Sequence, residues 1–243
     1  MMSLPFFYKE HIDDNSASII LDEETSKHIV LVLRMKVGEQ LQLTDGKGKL
    51  LTVEITDNNK KHCAVQIAET SSIQHPATRI TIAISLIKNN SRFEWFLEKA
   101  TEIGVTEIIP LLCSRTEKQN FKYDRMKGIL VSAMLQSQQC WLPVLHEPVA
   151  FDKLWPSFGT LPKLEDYQQK FIAHCVETEK RNLADLVNES VSSRIILIGP
   201  EGDFTPSEIQ QSVAHHFIPV ALGNTRLRTE TAGVVAASLL CLV

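Results

Sequence analysis

Arg194-Ile195-Ile196-Leu197-Ile198-Gly199-Pro200-Glu201-Gly202-Asp203-Phe204-Thr205-Pro206-Ser207-Glu208 is the stretch whose reading decides the fold. Its opening residues are almost wholly apolar and rich in β-branching, the pattern of a strand buried on both faces of a parallel sheet. Gly199 and Gly202 read as positions with backbone angles that a side chain would forbid, where a ligand can approach the main chain. Thr205, Pro206 and Glu208 make a helix start: a cap, a proline at the first helical position and a capping-box carboxylate. The helix start explains Thr-Pro-Ser-Glu completely. A tight turn alone does not require the Gly-Pro-Glu-Gly before it.

The theme repeats downstream. Phe217-Ile218-Pro219-Val220-Ala221-Leu222 reads as a second buried strand, with Pro219 near its start or on an edge. Gly223-Asn224 is a turn signal. Thr229 is expected to cap a last helix, with Glu230 in its first turn. Residues 232–243 are apolar almost throughout but too short to span a bilayer. Such a helix is buried in the core or in a subunit interface. Packing does not explain Arg226 and Arg228. Guanidinium groups just before a helix N-terminus oppose the helix dipole, and an anionic ligand or nucleic-acid phosphate offsets that cost.

IGPEGDFTPSEI and LGNTRLRTETA, in this order and spacing, resemble the C-terminal signature of the ribosomal RNA small-subunit methyltransferase E family of the SPOUT superfamily. The resemblance implies an S-adenosyl-L-methionine-dependent enzyme that methylates N3 of a uridine in 16S rRNA, working as a homodimer. It also implies an α/β C-terminal domain with a deep trefoil knot around a parallel sheet, the cofactor lying bent in the knot. Knots are otherwise essentially absent from proteins, and no periodicity reveals this one. By the same resemblance, Gly199, Pro200, Glu201 and Gly202 of the first loop and Leu222, Gly223, Asn224, Leu227 and Arg228 of the second hold the cofactor. His174 stands in the third wall, and Cys175 beside it reads as core packing.

Composition sets bounds on this reading. The chain has 243 residues, enough for one large domain or two smaller ones. A hydrophobic fraction of 44% and a charged fraction of 22% are ordinary for a globular protein. The five scattered cysteines have no metal or redox spacing, which reads as a reduced, cytoplasmic protein. No signal peptide or membrane span is expected. A net charge of −4 argues against a sequence-blind nucleic-acid binder, though not against an enzyme that meets RNA through a local patch. The eight histidines lack ligand spacing except for the adjacent His215 and His216, so no metal is expected.

Residues 1–72 read as a small β-rich domain. Phe6-Phe7-Tyr8 is an aromatic cluster, residues 24–34 have helical spacing, and residues 40–46, 50–56 and 63–68 read as short strands separated by turns. Short strands at this spacing suggest a small barrel, and HIVLVLRMKVGEQLQLTDGKG resembles the family's PUA-like RNA-binding domain. His28, Arg34 and Lys36 are its candidate RNA contacts. The family usually has a basic residue before its leading aromatic pair, where this chain has Pro5. Residues 71–78 form the linker, and the methyltransferase domain is expected over 73–243.

That domain opens with a strand over 79–87, a helix over 92–103 with Gly104 as its C-cap, and a strand over 105–112, the succession of a parallel α/β sheet. KNNSRFEWFLEKATEIGVTEIIPL matches the family's lysine-led segment, which places Lys88 and the Glu102-Ile103-Gly104-Val105 corner beside the cleft, with Arg92 among the substrate contacts. Lys99 and Glu102 can equally be a helix surface pair. Arg115, Lys118, Lys122, Arg125 and Lys127, interleaved with Phe121 and Tyr123, suit an RNA face. A helix over 129–139 carries Gln136, which matches a family glutamine, but Gln138 and Gln139 replace the Gly and Arg common beyond it. Residues 171–175 read as a strand and 182–188 as a helix.

Methyl transfer from a sulfonium is an in-line displacement, so placement of donor and acceptor dominates. Uracil N3 is a poor nucleophile until its proton leaves. Arg228 suits stabilisation of the uracil anion, while Glu230 or Glu201 suits acceptance of the proton. The uridine must also be unstacked, which calls for flanking RNA contacts, with Arg226 among them. A knotted methyltransferase for another RNA base, or a non-catalytic RNA-binding assembly factor, are the competing readings. A dinucleotide-dependent oxidoreductase is not supported, because Lys88-Asn89-Asn90-Ser91 supplies no glycine fingerprint after the first strand of the unit.

Overall fold

A computed structural model describes residues 4–13, 16–117, 120–155, 161–177 and 180–242, so Lys118 and Val243 lie outside the described residues. The chain divides into two compact units, Met1–His75 with Met134–Leu142, and Pro76–Ala133 with Pro143–Val243.

In the first unit, strands β1 (Phe6–Tyr8), β2 (Ser18–Ile20), β3 (Gln40–Thr44), β4 (Lys49–Asp57) and β5 (Ala64–Ser72) form one sheet in the order β1-β3-β4-β5-β2. The period-2 alternation points Leu41, Leu43, Leu51, Val53, Ile55 and Val65 inward. Phe7 and Ile19, on the two edge strands, join the same core. One core shared by both edges requires the sheet to wrap, and register shifts at Thr52/Val53 and Ile55/Asp57 supply the bend. The expected barrel is therefore a curled sheet, with no ladder between β1 and β2 among the described residues.

The helix expected over 24–34 is two pieces. Helix α1 (Glu23–Lys27) starts at Asp22, whose carboxylate accepts the Thr25 N–H, and a π-helical turn (His28–Val32) follows it. The later segment 134–142 closes the unit. The Trp141 indole N–H donates to the carbonyls of Ile73 and Gln74 at 3.0 and 3.1 Å. Gly48 N–H donates to the Cys140 carbonyl at 2.9 Å. Gly48 has φ +93, and a Cβ there would stand 2.4 Å from the Trp141 ring, so only glycine fits.

The second unit follows the alternation that the sequence predicted. Its elements are β6 (Arg79–Ser85), α2 (Asn90–Ile103), β7 (Glu107–Leu112), α3 (Tyr123–Gln136, its last turn belonging to the first unit), β8 (Val144–Leu145), β9 (Val149–Ala150), β10 (Gln169–Ala173), β11 (Arg181–Asn182), β12 (Ser193–Ile198), α4 (Pro206–Ala214), β13 (Ile218–Ala221) and α5 (Thr229–Cys241). The sheet order is β11-β13-β10-β12-β6-β7-β8, with β9 also on β7, and every ladder is parallel. Pro219 precedes the two residues that β13 pairs with β11, so its missing N–H breaks no bond there. Thr205 and Glu208 form the predicted capping box. Asn89 and Gly104 cap α2.

The helix expected over 182–188 does not form. The Gln169 side chain donates to the Leu186 carbonyl and accepts the Asn188 N–H, while Arg194 takes the Asn188 carbonyl. Those bonds draw the backbone away from helical pairing, leaving β11 and a single 3-10 turn, Leu183–Asp185.

The sheet's two faces carry different partners. Ala83, Ile109, Leu111, Ile172, Ile195 and Leu197 point to a core with Phe151, Phe204 and Phe217, against which Ile209 of α4 packs. On the other face α5 lies against β6 and α2. A Cβ on Gly233 would stand 2.6 Å from the Phe96 ring and 2.8 Å from Ile84 Cδ1. The far end of α5 is tied by the buried Arg194, whose Nη1 donates to the Leu240 carbonyl at 2.6 Å. A cation there also complements the helix C-terminus.

At the start of β6 and β7 lies a buried polar cluster. The Glu107 carboxylate accepts from His146 Nε2 at 2.7 Å, Arg79 Nε at 3.0 Å, the Thr81 hydroxyl at 2.8 Å and the Tyr167 hydroxyl at 3.0 Å. Burial raises its pKa, but the His146 hydrogen bond, the Arg79 charge and the Thr81 hydroxyl more than reverse that and hold it at about 2. A depressed carboxylate pKa gives stability that is complete above the unfolded value near 4.5 and is lost as pH falls towards 2. Glu107→Gln is expected to cost roughly 3 kcal/mol at pH 7 and to flatten the stability profile across that acid window. Urea denaturation of both proteins as a function of pH measures this, and an unchanged acid limb refutes it.

Candidate active-site cleft

Ligands of open α/β sheets bind beyond the carboxyl ends of the strands. A cavity of about 810 Å³ lies where the loops after β10, β12 and β13 meet. It is built wholly from the second unit, with Arg92 of α2 and Thr229 and Ala232 of α5 completing its wall.

The loop after β12 corrects one expectation. Neither Gly199 nor Gly202 has a left-handed φ; the residue that turns left-handed is Asp203, at φ 64. Gly199 serves a different purpose: a Cβ there would stand 3.0 Å from the Phe204 ring, closer than ordinary packing. Asp203 earns its strained backbone through its carboxylate, which accepts the Phe204 N–H and, at 2.8 Å, the Cys175 N–H of the loop after β10. Gly202 does not line the cavity; its carbonyl accepts Arg115 Nη1 at 2.7 Å.

In the loop after β13, Gly223 has φ +128, so this turn does need glycine. Leu222, Gly223, Asn224, Arg226, Leu227 and Arg228 all line the cavity. Arg226 and Arg228 are exposed, and neither forms an ion pair among the described residues. Arg228 is itself the N-cap residue of α5, with no side-chain cap bond. Thr229 is not the cap that the sequence suggested. Its hydroxyl donates to the buried Gly199 carbonyl at 3.0 Å, joining the last helix to the first loop.

The third wall holds His174 and Cys175, together with Lys180. Lys180 Nζ donates to the carbonyls of His174 and Val176 at 2.8 and 2.6 Å, strapping its own loop. Burial and the Lys180 charge lower the His174 pKa, with Asp203 opposing, so the imidazole is neutral at pH 7.

Carboxylates gather around Arg92. Its guanidinium lies 3.7 Å from Glu201 Oε1 and 3.7 Å from Glu230 Oε1. Glu201 is solvent-exposed whereas Glu230 is buried, and Glu230 Oε2 has no hydrogen-bond partner among the described residues. A buried carboxylate oxygen left bare is costly. Glu230 itself does not line the cavity: it stands behind Arg92, while Glu201 is on the wall.

Other predicted residues lie elsewhere. His28, Arg34 and Gln136 belong to the first unit. Lys88 does not line the cavity and forms an exposed ion pair with Glu117 at 2.9 Å. Lys99 and Glu102 are a surface pair at 3.0 Å. The basic run is partly neutralised, since Arg125 bonds Glu94 through two nitrogens and Arg115 is held by Gly202. Asp203, Thr229 in its joining role, and Lys180 were not singled out from sequence. A Gly-Asp pair after a strand was the only available signal for the first. No group able to hold a metal occurs among the described residues, and none of their helices is long and apolar enough to cross a membrane.

Comparison with known proteins fits this geometry. Residues 74–241 match the RNA methyltransferase domain family, and residues 21–68 match the RNA methyltransferase PUA domain family. The chain is 32% identical to the ribosomal RNA small subunit methyltransferase E of Synechocystis, over 90% of this chain and 71% of that one. It superimposes with a TM-score of 0.86 on a probable rRNA-methyltransferase from Porphyromonas gingivalis, at 37% identity and covering 96% of this chain and 95% of that one. It is similar to the ribosomal RNA small subunit methyltransferase E of Neisseria gonorrhoeae, solved bound to S-adenosyl methionine, with a TM-score of 0.82 and 28% identity over 97% of this chain and 95% of that one.

The tie between α5 and the first loop is testable directly. Thr229→Val keeps shape but leaves the Gly199 carbonyl unpaired, and is expected to cost about 1–3 kcal/mol. Amide exchange should also quicken in residues 199–204. Exchange that is unchanged there would show that the hydroxyl does not hold the loop.

Proposed function

Since the chain belongs to the ribosomal RNA small-subunit methyltransferase E family, we propose that it transfers the methyl group of S-adenosyl-L-methionine to N3 of one uridine in 16S rRNA of the small ribosomal subunit. In this reading residues 1–72 bind RNA and residues 73–243 carry the chemistry, in the cytoplasm. The loops after β10, β12 and β13 are parts of a deep trefoil knot.

The residues present suit the cofactor. A cavity of about 810 Å³ is of the size that small-molecule sites have. Ile198, Val220, Leu222 and Leu227 offer apolar surface for the adenosyl group. Main-chain groups of Gly199, Pro200, Glu201, Gly223 and Asn224 offer hydrogen bonds, and neutral His174 adds an uncharged wall. Gly202 shapes the loop from behind. Glu201, on the cavity wall, suits the cofactor's positive charges or a donor on the substrate. When bound, the cofactor supplies a methyl group on a sulfonium.

The chain's own side chains then divide the work. Glu201 accepts the N3 proton, directly or through water. The observation that carries this choice over Glu230 is placement: Glu201 lines the cavity, whereas Glu230 does not and its Oε2 is buried. Arg92, 3.7 Å from both carboxylates, holds them in place and touches the substrate. Arg228, free on the rim, stabilises the uracil anion as the proton leaves. Arg226 meets a neighbouring phosphate, and Lys88, His28, Arg34 and Gln136 contribute further RNA contacts. A second copy covers the half-buried Val234, Val235 and Leu239 of α5. Light scattering is expected to give the mass of two chains, and a single-chain mass at micromolar concentration rejects the dimer.

Purified protein, labelled S-adenosyl-L-methionine and small subunits from cells lacking the gene test the activity. Label is expected at N3 of one uridine. Arg228→Ala and Glu201→Gln are each expected to lower kcat about 10²–10³-fold. Label on another base rejects the N3 assignment. Cofactor binding without transfer to RNA rejects the substrate.

A further inference from the structure

The first unit carries an apolar ridge that its own core does not use. Leu31, Val32, Leu33 and Val37 are 55%, 67%, 41% and 57% exposed. Scattered apolar residues on a surface need no explanation, but a contiguous group marks an interaction site. The ridge is also held rigidly. Ile29 on one side and Met35 on the other are buried in the unit's core, and Met35 N–H bonds the Ile29 carbonyl at 3.1 Å. Between these anchors the chain must bulge outward. The wide π-helical turn His28–Val32 makes the bulge, with Leu33 N–H on the His28 carbonyl at 2.9 Å, and Arg34 ends it at φ 56. π-turns of this kind are frequent at functional sites.

The surroundings identify the occupant. Exposed Arg34 and Lys36 stand among the four aliphatic side chains in the chain, with Lys27 before them; of the exposed acids nearby, Glu39 is turned to the Lys36 N–H at 2.8 Å. Lys27 is shared with Glu23 at 2.8 Å, but both are well exposed and the pair is weak. Cations beside apolar tips complement a polymer with phosphates outside and flat apolar bases inside. Aliphatic side chains inserted between bases unstack them, and cations on either side hold the backbone. A base that is to be modified must leave its stack.

We propose that Leu31, Val32 and Leu33, supported by Val37, form a wedge that inserts between bases of the substrate RNA and unstacks them, with Arg34 and Lys36 on the flanking phosphates. This rests on the RNA-methyltransferase reading above, and goes beyond it in giving the aliphatic residues the unstacking role.

Two experiments test it, neither of which needs methyl transfer. In the first, the photoreactive analogue p-benzoylphenylalanine replaces Val32 and the full chain is irradiated with small subunits. Crosslinks to rRNA are expected. Crosslinks to a ribosomal protein, or to a second copy of the chain, overturn the proposal. The second experiment compares a Leu31→Ser, Val32→Ser, Leu33→Ser variant with Arg34→Gln, using an rRNA fragment from the crosslinked region with 2-aminopurine in it. The serine variant is expected to keep the salt dependence of binding but lose the fluorescence rise that reports unstacking. Arg34→Gln is expected to lower the salt slope by about one. A serine variant with an undiminished rise overturns the wedge. Transfer by wild-type protein is scored separately, so a failed activity and a failed wedge are distinguishable.

Discussion

Helix α5 can lie flush on β6 and α2 only because Gly233 has no side chain, and the geometry of the cleft depends on that contact. With Phe96 and Ile84 so close to the glycine, even one methyl group would push the helix outward. The helix begins with Thr229 and Glu230, and α2 carries Arg92. The packing of these two helices therefore sets the distance between the guanidinium and the buried carboxylate. It also brings the Thr229 hydroxyl onto the Gly199 carbonyl. Arg194 holds the other end, so the helix is fixed at both ends and pressed close in its middle.

The cleft is assembled from loops that would each be mobile alone. Asp203 joins the loop after β12 to that after β10, and Thr229 joins it to α5. Lys180 ties the loop after β10 to itself. These bonds fix main-chain direction and leave several charged side chains uncommitted. Asp203 on the cavity wall keeps a left-handed backbone, a local cost that its two carboxylate hydrogen bonds offset.

Elements governed by local chemistry were legible in the sequence. The buried strands β6 and β12, the capping box at Thr205 and the αL cap at Gly104 follow from apolar runs and single-residue preferences. What was not legible depends on partners distant in the chain. Gly199 looks like a flexible turn residue, yet what sits against it is the Phe204 ring. Thr229 looks like a cap, yet its hydroxyl finds a carbonyl thirty residues away. Residues 182–188 have helical character, yet Gln169 and Arg194 take their backbone groups. Of the candidate site, the two glycine loops and Arg92 come together, whereas Lys88 is drawn to Glu117 by a contact that spacing does not encode. Lys180 left no trace, because its partners are mainly the carbonyls of His174 and Val176 in its own loop.

Trp141 has a consequence for synthesis. Protein emerges from the ribosome N-terminus first, and domains usually fold as they appear. Here the strands up to Ser72 are complete long before the tryptophan that closes over Ile73, Gln74 and Gly48. The first unit must therefore wait, unsealed, while β6, α2 and β7 are made. Its contact order is raised by the segment 134–142, in which Cys140 and Leu142 pair with Gly48 and Gly46 beside Trp141, and that slows its final closure. During translation it is an N-terminal domain without its clasp, and completion of the small unit is coupled in time to the start of the larger one.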